Sequence, residues 1–230
     1  MNQYLSTGLL LKFRSEKSNK MKKNKLIVLG LMPFLFACGG SEDTVEEKSN
    51  EETVEETCSF SYDESSTILT WTAFKLTEKV GVDGSFDEIN VIANESEDMF
   101  GVLQGATFDI PVASVNSQDP VRDPKIRDAF FGAMDSTASI TGEIISIDAA
   151  SAKVSITMNR KTVEYDGEVS VEDETITMKT TINILDFDGQ GSIDSIGVVC
   201  EEKHTGDDGV NKFWEDVNIA VQTKLIKECK

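Results

Sequence analysis

The chain has 230 residues, of which 41 are acidic, 22 are basic and one is histidine, giving a net charge of −19. A surface of this sign repels nucleic acid and anionic lipid headgroups, so the composition excludes a nucleic-acid-binding protein. The single histidine argues against serine-hydrolase chemistry, which needs a base beside the serine. A zinc site needs three or four closely spaced Cys or His ligands, and Cys58, Cys200 and Cys229 are far apart in the sequence.

The N-terminus predicts a secretory signal. Residues 21–25 are basic, and residues 26–37 form an apolar run shorter than the roughly 20 residues that a membrane-spanning helix needs. The run ends in L-F-A-C-G, which resembles the bacterial lipobox and implies cleavage before Cys38 and lipid attachment to its sulfur. The alternative is an ordinary signal peptide with an incidental cysteine. We expect residues 1–37 to be a signal peptide, with translation starting at Met1 or Met21, and the protein to be anchored in the bacterial cell envelope on a periplasmic or cell-surface face.

Residues 38–57 are predicted to be the lipidated cysteine and a disordered tether. Residues 39–57 hold eight acidic residues, one lysine and no aromatic residue, too little apolar surface to offset the entropy of ordering. Acidic residues after a lipidated cysteine also resemble a surface-export signal of some Gram-negative bacteria. Without residues 1–37, 15 basic residues remain against 40 acidic ones, a net charge of −25.

A single folded domain is predicted over residues 58–230. Segments rich in Val, Ile, Thr and aromatic residues, many alternating with period two, are separated by turns such as the one predicted at 82–84. Short links between neighbouring strands favour antiparallel pairing. The predicted strands are 68–77, 84–92, 106–115, 138–148, 153–159, 162–171, 175–185 and 213–226.

Two segments interrupt this pattern. Asp123–Phe131 is predicted to be helical, and residues 186–208 form a long acidic break rich in glycine. About eight antiparallel strands with such excursions indicate a closed barrel or a sandwich, between which the pattern does not choose. The aromatic residues exceed what a small solid core needs, and an eight-stranded barrel has room for one ligand.

Four groups of residues stand in an order found in one known family. They are L-T-W-T-A-F-K (69–75) with V-D-G-S-F (82–86); V-A-S-V-N-S (112–117) with R-D-P-K-I-R (122–127) and Phe130-Phe131; V-S-I-T-M-N-R-K-T-V (154–163); and I-N-I-L-D-F-D (182–188) with V-N-I-A-V (217–221). Together they resemble the YceI-like lipid/polyisoprenoid-binding family over nearly all of residues 60–226.

The resemblance implies an all-β fold, an eight-stranded antiparallel lipocalin-like β-barrel with a short helical insert. Its interior would be an apolar tunnel that carries, stores or sequesters a long-chain isoprenoid lipid such as a quinone tail. The resemblance also implies a non-enzymatic protein without a further cofactor, and often a homodimer. The alternative is a structural or partner-binding barrel with a solid core. The residues expected to line the tunnel are Trp71, Phe86, Phe108, Phe130, Phe131, Ile156, Met158, Phe187 and Val217.

One departure from the family concerns the headgroup contact. Many members carry a histidine near the end of the first strand, where this chain has Lys75, and the histidine present is His204. A rival hypothesis is an enzyme that uses Lys75 with Asp186 or Asp188. The segment from Asp186 also partly matches a calcium loop, but its twelfth position is Gly197 instead of glutamate, which favours an acidic turn.

The cysteines fit an oxidising compartment. In a closed barrel the first and last strands are antiparallel neighbours. Cys58 precedes the first strand and Cys229 follows the last one, which favours a Cys58–Cys229 disulfide. Cys200–Cys229 is the competing pair, because the loop of Cys200 leads into the last strand.

Overall fold

The computed structural model describes residues 56–230, so the predicted signal peptide and Cys38 lie outside the described residues. The strands of the described segment are β1 (Cys58–Tyr62), β2 (Ile68–Lys75), β3 (Val80–Phe86), β4 (Asn90–Ile92), β5 (Thr107–Pro111), β6 (Val115–Asn116), β7 (Ser139–Ile147), β8 (Ser151–Met158), β9 (Lys161–Glu172), β10 (Thr175–Asn183) and β11 (Phe213–Cys229). The α-helices are α1 (Met99–Leu103), α2 (Asp123–Lys125), α3 (Gln190–Val199) and α4 (Glu201–His204). A π-helical turn (Ile126–Phe130) and a 3₁₀ turn (Phe131–Ala133) continue α2, and further 3₁₀ turns lie at Glu64–Ser66, Val112–Ser114 and Ile184–Phe187. No helix in this part of the chain is both long and apolar enough to span a membrane.

The strands form one antiparallel sheet, in the order β4-β5-β7-β8-β9-β10-β11-β2-β3-β6. The two ends of this order meet, because β3 and β4 are pieces of one bent segment that pairs with the pieces β5 and β6 of another. Between the pieces, the amide of Asp87 donates to the carbonyl of Ser114 at 2.8 Å. The sheet therefore curls round on itself, and the predicted class, an antiparallel β-barrel with a short helical insert, is confirmed.

The structure has an 11-stranded sheet in the described residues instead of the eight strands expected. Each of the two bent segments counts as two strands, and β1 adds a short strand beside the end of β11. The bends have a local cause: the 3₁₀ turn Val112–Ser114 interrupts the ladder between β5 and β6.

The regular hairpins follow directly from sequence periodicity. In β8, the side chains of Ala152, Val154, Ile156 and Met158 are buried and those between them are not, as period-two alternation requires when one face of a strand is covered. The β8–β9 turn places Asn159 and the following arginine at φ 51° and 60°, the left-handed pair of a type I′ hairpin. This turn fixes the register of the hairpin.

The turn predicted at 82–84 is wrong. These residues lie inside β3 and pair with Trp71–Ala73 of β2. A Cβ on Gly84 would stand 2.1 Å from Cζ2 of Trp71, so the glycine is needed for close approach of the indole. The predicted strand at 84–92 correspondingly begins earlier, at Val80, and is interrupted before β4.

The predicted break at 186–208 is also corrected, because it contains α3 and α4. Ile196 and Gly197 of α3 are buried, and Gly197 lies where a Cβ would be 3.8 Å from the ring of Phe213. The glycines that suggested a loop lower helix propensity, but packing of the apolar face outweighs that cost.

The ends of the described segment are joined covalently. Cys58 and Cys229 are partners in the β1–β11 register and form a disulfide with a Cα–Cα distance of 4.0 Å. Cys200 is buried and unpaired among the described cysteines. The sheet pairings, three hydrophobic clusters and the disulfide all lie within residues 56–230, so this segment carries a complete core and is expected to fold independently.

Candidate ligand-binding cavity

The barrel encloses a cavity of about 460 Å³. Most of its lining is apolar and comes from the inward face of the sheet and from the helical insert. Along β11, lining residues run from Phe213 to Thr223, ten residue steps or about 33 Å of strand. The cavity is therefore elongated along the barrel wall.

Eight of the nine residues predicted to line a tunnel lie on this cavity: Trp71, Phe86, Phe108, Phe130, Phe131, Ile156, Met158 and Val217. They come from both sides of the barrel and from the insert. The rings of Phe130 and Phe131 meet edge to face with centroids 5.0 Å apart. Whether these side chains contact a lipid stays a prediction.

The ninth residue, Phe187, does not line the cavity. Its side chain is fully buried in the cluster that contains Met158 and Ile184, and its ring centroid lies 6.0 Å from that of Tyr165. It sits in a 3₁₀ turn after β10, where strand alternation no longer predicts which way a side chain points. Phe187 therefore belongs to the packed hydrophobic core outside the cavity.

Trp71 forms a well-supported part of the wall. Its indole lies over Gly84 on the neighbouring strand, and Nε1 donates to the carbonyl of Ser85 at 3.1 Å. An indole N–H in an apolar site needs such an acceptor. The ring is therefore held by packing on one side and by a hydrogen bond at its polar edge.

The far end of the cavity is polar, but its hydrogen bonds are satisfied within the protein. The hydroxyls of Tyr62 and Thr67 lie 2.6 Å apart, and those of Thr67 and Thr223 lie 2.8 Å apart. Burial raises the pKa of Tyr62, which keeps the phenol neutral. A cluster with Leu103 and Leu225 packs around this end. We interpret it as the closed end.

The opposite end is the mouth, formed where β2 ends, β11 begins and the segments around α2 and α4 meet. Val121, exposed by 68%, marks the edge. The charged residues and the histidine of the cavity lining here are Lys75, Asp119, Arg122, Lys125, Lys203 and His204. Sequence reasoning found only Lys75 among them. Lys203 and His204 were missed because residues 186–208 were not predicted to fold back over the barrel. Asp119, Arg122 and Lys125 were missed because no local pattern relates them to Lys75.

His204 is held inside the mouth. Its Nδ1 lies 2.8 Å from the carbonyl of Cys200, and its ring stacks on Phe213 with centroids 4.1 Å apart. Burial lowers the pKa of His204, and the positive charges of Lys75, Lys125 and Arg122 lower it further. The ring is therefore neutral near pH 7.

The arrangement does not bring together the residues of the enzyme hypothesis. Lys75 lies at the mouth, but Asp186 accepts from the Tyr165 hydroxyl at 2.9 Å and Asp188 pairs with Lys161 at 2.6 Å. Neither aspartate lines the cavity. Within residues 56–230, no group of three or more Cys, His, Asp or Glu side chains is placed to hold a metal ion.

An antiparallel barrel around a long apolar cavity with a polar mouth defines a class of protein that holds a hydrophobic ligand. A family model described as a YceI-like domain matches residues 60–225. The chain belongs to the YceI-like family.

Solved structures resemble this fold at low sequence identity. A polyisoprenoid binding domain from Saccharophagus degradans, implicated in plant cell wall breakdown, gives a TM-score of 0.50 at 13% identity and covers 74% of this chain and 97% of that one. BcnA of Burkholderia cenocepacia gives 0.47 at 15% identity, covering 72% and 99%. A YceI protein of Campylobacter jejuni gives 0.44 at 17%, covering 68% and 89%. No curated protein matches the sequence. The first of these likenesses supports the barrel fold.

Proposed function

We propose that this chain is a lipoprotein of the bacterial cell envelope that binds a long-chain isoprenoid or similar apolar lipid inside its barrel. It carries, stores or sequesters that lipid and performs no chemistry on it. The observation that carries the proposal is the cavity of about 460 Å³, apolar for most of its length and open at one end. The cavity speaks against the alternative, a structural or partner-binding barrel whose interior is filled by its own side chains.

The energetics favour a hydrocarbon tail as ligand. Each methylene group moved from water into an apolar site contributes about 0.8 kcal/mol, so ten of them contribute about 8 kcal/mol before the costs of association. A long prenyl chain also needs an elongated site, and the cavity lining follows β11 from Phe213 to Thr223. The anchor at Cys38, in the predicted lipobox, would keep the barrel near the membranes in which such lipids reside.

The proposal is tested with residues 56–230 purified without detergent. Native mass spectrometry and organic extraction identify any lipid that copurifies, and radiolabelled geranylgeraniol, a neutral C20 prenol, measures binding directly. The blocking variant is Val221→Trp, because Val221 lines the cavity. Gln222→Trp is the matched control, since the next side chain on the same strand is exposed.

We expect Val221→Trp to reduce geranylgeraniol binding at least tenfold and Gln222→Trp to bind as the unmodified segment does. Equal binding by both variants would show that the prenol does not enter the barrel. An absence of binding by the unmodified segment, together with no extractable lipid, would overturn the proposed function. Anchoring is tested separately by labelling cells with a radioactive fatty acid, which Cys38→Ser should abolish.

A further inference from the structure

Positive charge is concentrated at the mouth of a protein that is acidic overall. Four cationic side chains line this end of the cavity, and we call them the mouth collar: Lys75, Arg122, Lys125 and Lys203. Asp119 is the one carboxylate among the cavity-lining residues. The chain as a whole has a net charge of −19. The charged side chains that line the opening, four cations and one carboxylate, therefore have a net charge opposite in sign to that of the whole chain.

The collar charges are not neutralised by ion pairs within residues 56–230, where none of the four takes part in a salt bridge. The ammonium groups of Lys75 and Lys125 donate to the carbonyls of Lys203 and Val199, at 3.3 and 3.0 Å. These acceptors hold the side chains in place without cancelling their charge. Each lysine keeps further N–H donors for a ligand.

Arg122 and Asp119 complete the rim. The guanidinium of Arg122 donates to the hydroxyl and the carbonyl of Ser117, at 2.8 and 2.7 Å, which fixes its plane. The carboxylate of Asp119 accepts from the amides of Val121 and Arg122, at 3.0 and 3.2 Å. The amide of Val121 lowers the pKa of Asp119, and the positive charges of Arg122 and Lys203 lower it further, so this carboxylate offsets part of the collar's charge. The lowered pKa of His204, to which Lys75, Lys125 and Arg122 contribute, is consistent with a positive potential at this place.

We infer that the lipid held by this barrel carries an anionic head, a phosphate or a carboxylate, which the mouth collar binds while the hydrocarbon tail fills the cavity. The inference rests on the proposed function and names the class of ligand. Charge-assisted hydrogen bonds to an anion are stronger than those to a neutral oxygen. A neutral head, such as that of a prenol or a quinone, would bring no negative charge to four cations that Asp119 alone among the cavity-lining residues offsets.

Three probes separate the head from the tail: geranylgeraniol has the tail, geranylgeranyl monophosphate has both parts, and inorganic phosphate has the anion alone. Binding to residues 56–230 is measured by isothermal titration calorimetry at low and high salt. We expect the monophosphate to bind at least tenfold more tightly than the prenol at low salt. The preference should shrink at high salt, because screening weakens the exposed charges.

The collar variant is Lys75→Gln with Lys125→Gln, and the control is Lys179→Gln with Lys224→Gln. Lys179 and Lys224 are exposed, and neither lines the cavity, so both variants change the net charge equally. The collar variant should lose the preference for the monophosphate and keep its affinity for the prenol. Lys203→Gln is a second test with little risk to folding, because the Lys203 side chain is exposed. It should reduce the preference severalfold.

The outcomes separate the two proposals. If the prenol and the monophosphate bind equally, the anionic head is refuted and the lipid-binding function stands. If neither binds, the proposed function fails. Loss of the preference in the control variant would refute a role for the collar. Binding of inorganic phosphate as tight as that of the monophosphate would overturn the inference, because the tail would then contribute nothing.

Discussion

Removing the disulfide between β1 and β11 should destabilise the barrel mainly through its unfolded state. The bridge joins Cys58 and Cys229, which are 171 residues apart in the sequence. Chain-entropy arguments assign such a closed loop a stabilisation of about 5 kcal/mol. Thr57 and Lys230 exchange two backbone hydrogen bonds of 3.1 and 3.0 Å beside the bridge, so the pairing of β1 with β11 does not rest on the disulfide alone.

We therefore expect Cys58→Ser with Cys229→Ser to lower the free energy of unfolding by up to about 5 kcal/mol while leaving the folded structure unchanged. With a urea m-value of about 2 kcal/mol per molar, the midpoint should fall by up to about 2.5 M. The midpoint is measured by urea titration of residues 56–230, in which unfolding is followed by the fluorescence of Trp71 and Trp214. Reduced unmodified segment should unfold at the same midpoint as the variant.

Cys200→Ala controls for loss of a buried thiol that is not in the bridge. Reduction of the disulfide should lower the urea midpoint of Cys200→Ala by as much as it lowers the midpoint of the unmodified segment. The reasoning is refuted if the double variant unfolds within about 0.3 M of an unmodified segment whose disulfide is intact by mass spectrometry, because loop closure would then contribute little.

Three further predictions concern single side chains. Gly84→Ala should destabilise the barrel by about 1–3 kcal/mol and shift the tryptophan emission, since the new Cβ displaces the indole of Trp71; an unchanged midpoint and spectrum would contradict this. His204 has a pKa below its ordinary value of 6.5, so the unfolded state binds more protons and stability should fall as pH drops below about 6.5. In urea titrations between pH 7.5 and 5.5, His204→Gln should therefore lose less stability than the unmodified segment. An identical pH dependence in both proteins would exclude this contribution of His204. Phe187→Ala should cost about 3–5 kcal/mol in thermal or urea unfolding yet leave geranylgeraniol affinity within about twofold, and a larger loss of affinity would place this side chain on the cavity after all.

The fold was largely predictable where periodicity and family resemblance act together. Strands β8 to β11 were placed within a few residues, because their inward and outward faces alternate regularly. Trp71, Ile156 and Val217 were expected inside the barrel from the family resemblance, and the structure places all three on the cavity. Apolar residue types at every second position of a strand directly indicate which face of the sheet is buried.

The errors arose where one residue type has two physical uses. Gly84 was interpreted as a turn residue, although it makes room for Trp71 on the adjacent strand. The glycines around α3 suggested a loop, although Gly197 sits in a helix against Phe213. In a single sequence, a glycine that allows close packing cannot be told from a glycine that forms a turn. Only the tertiary contacts distinguish the two.

The mouth could not be predicted, because its residues come from distant parts of the chain. Lys75 ends β2, Arg122 precedes α2 and Lys203 lies in α4, and no local pattern relates them. Their convergence depends on the packing of α3 and α4 over the opening. The overall composition even pointed the other way, since net negative charge argues against any affinity for anions.

The described chain enters the barrel at the end opposite to the opening of the cavity. Thr57 bonds to Lys230 beyond the last residue of β11, whereas Phe213 at the first residue of β11 lines the opening. The disulfide-bonded end of the barrel and the opening of the cavity therefore lie at opposite ends of β11, so a ligand that enters at the mouth does not pass the Cys58–Cys229 bridge.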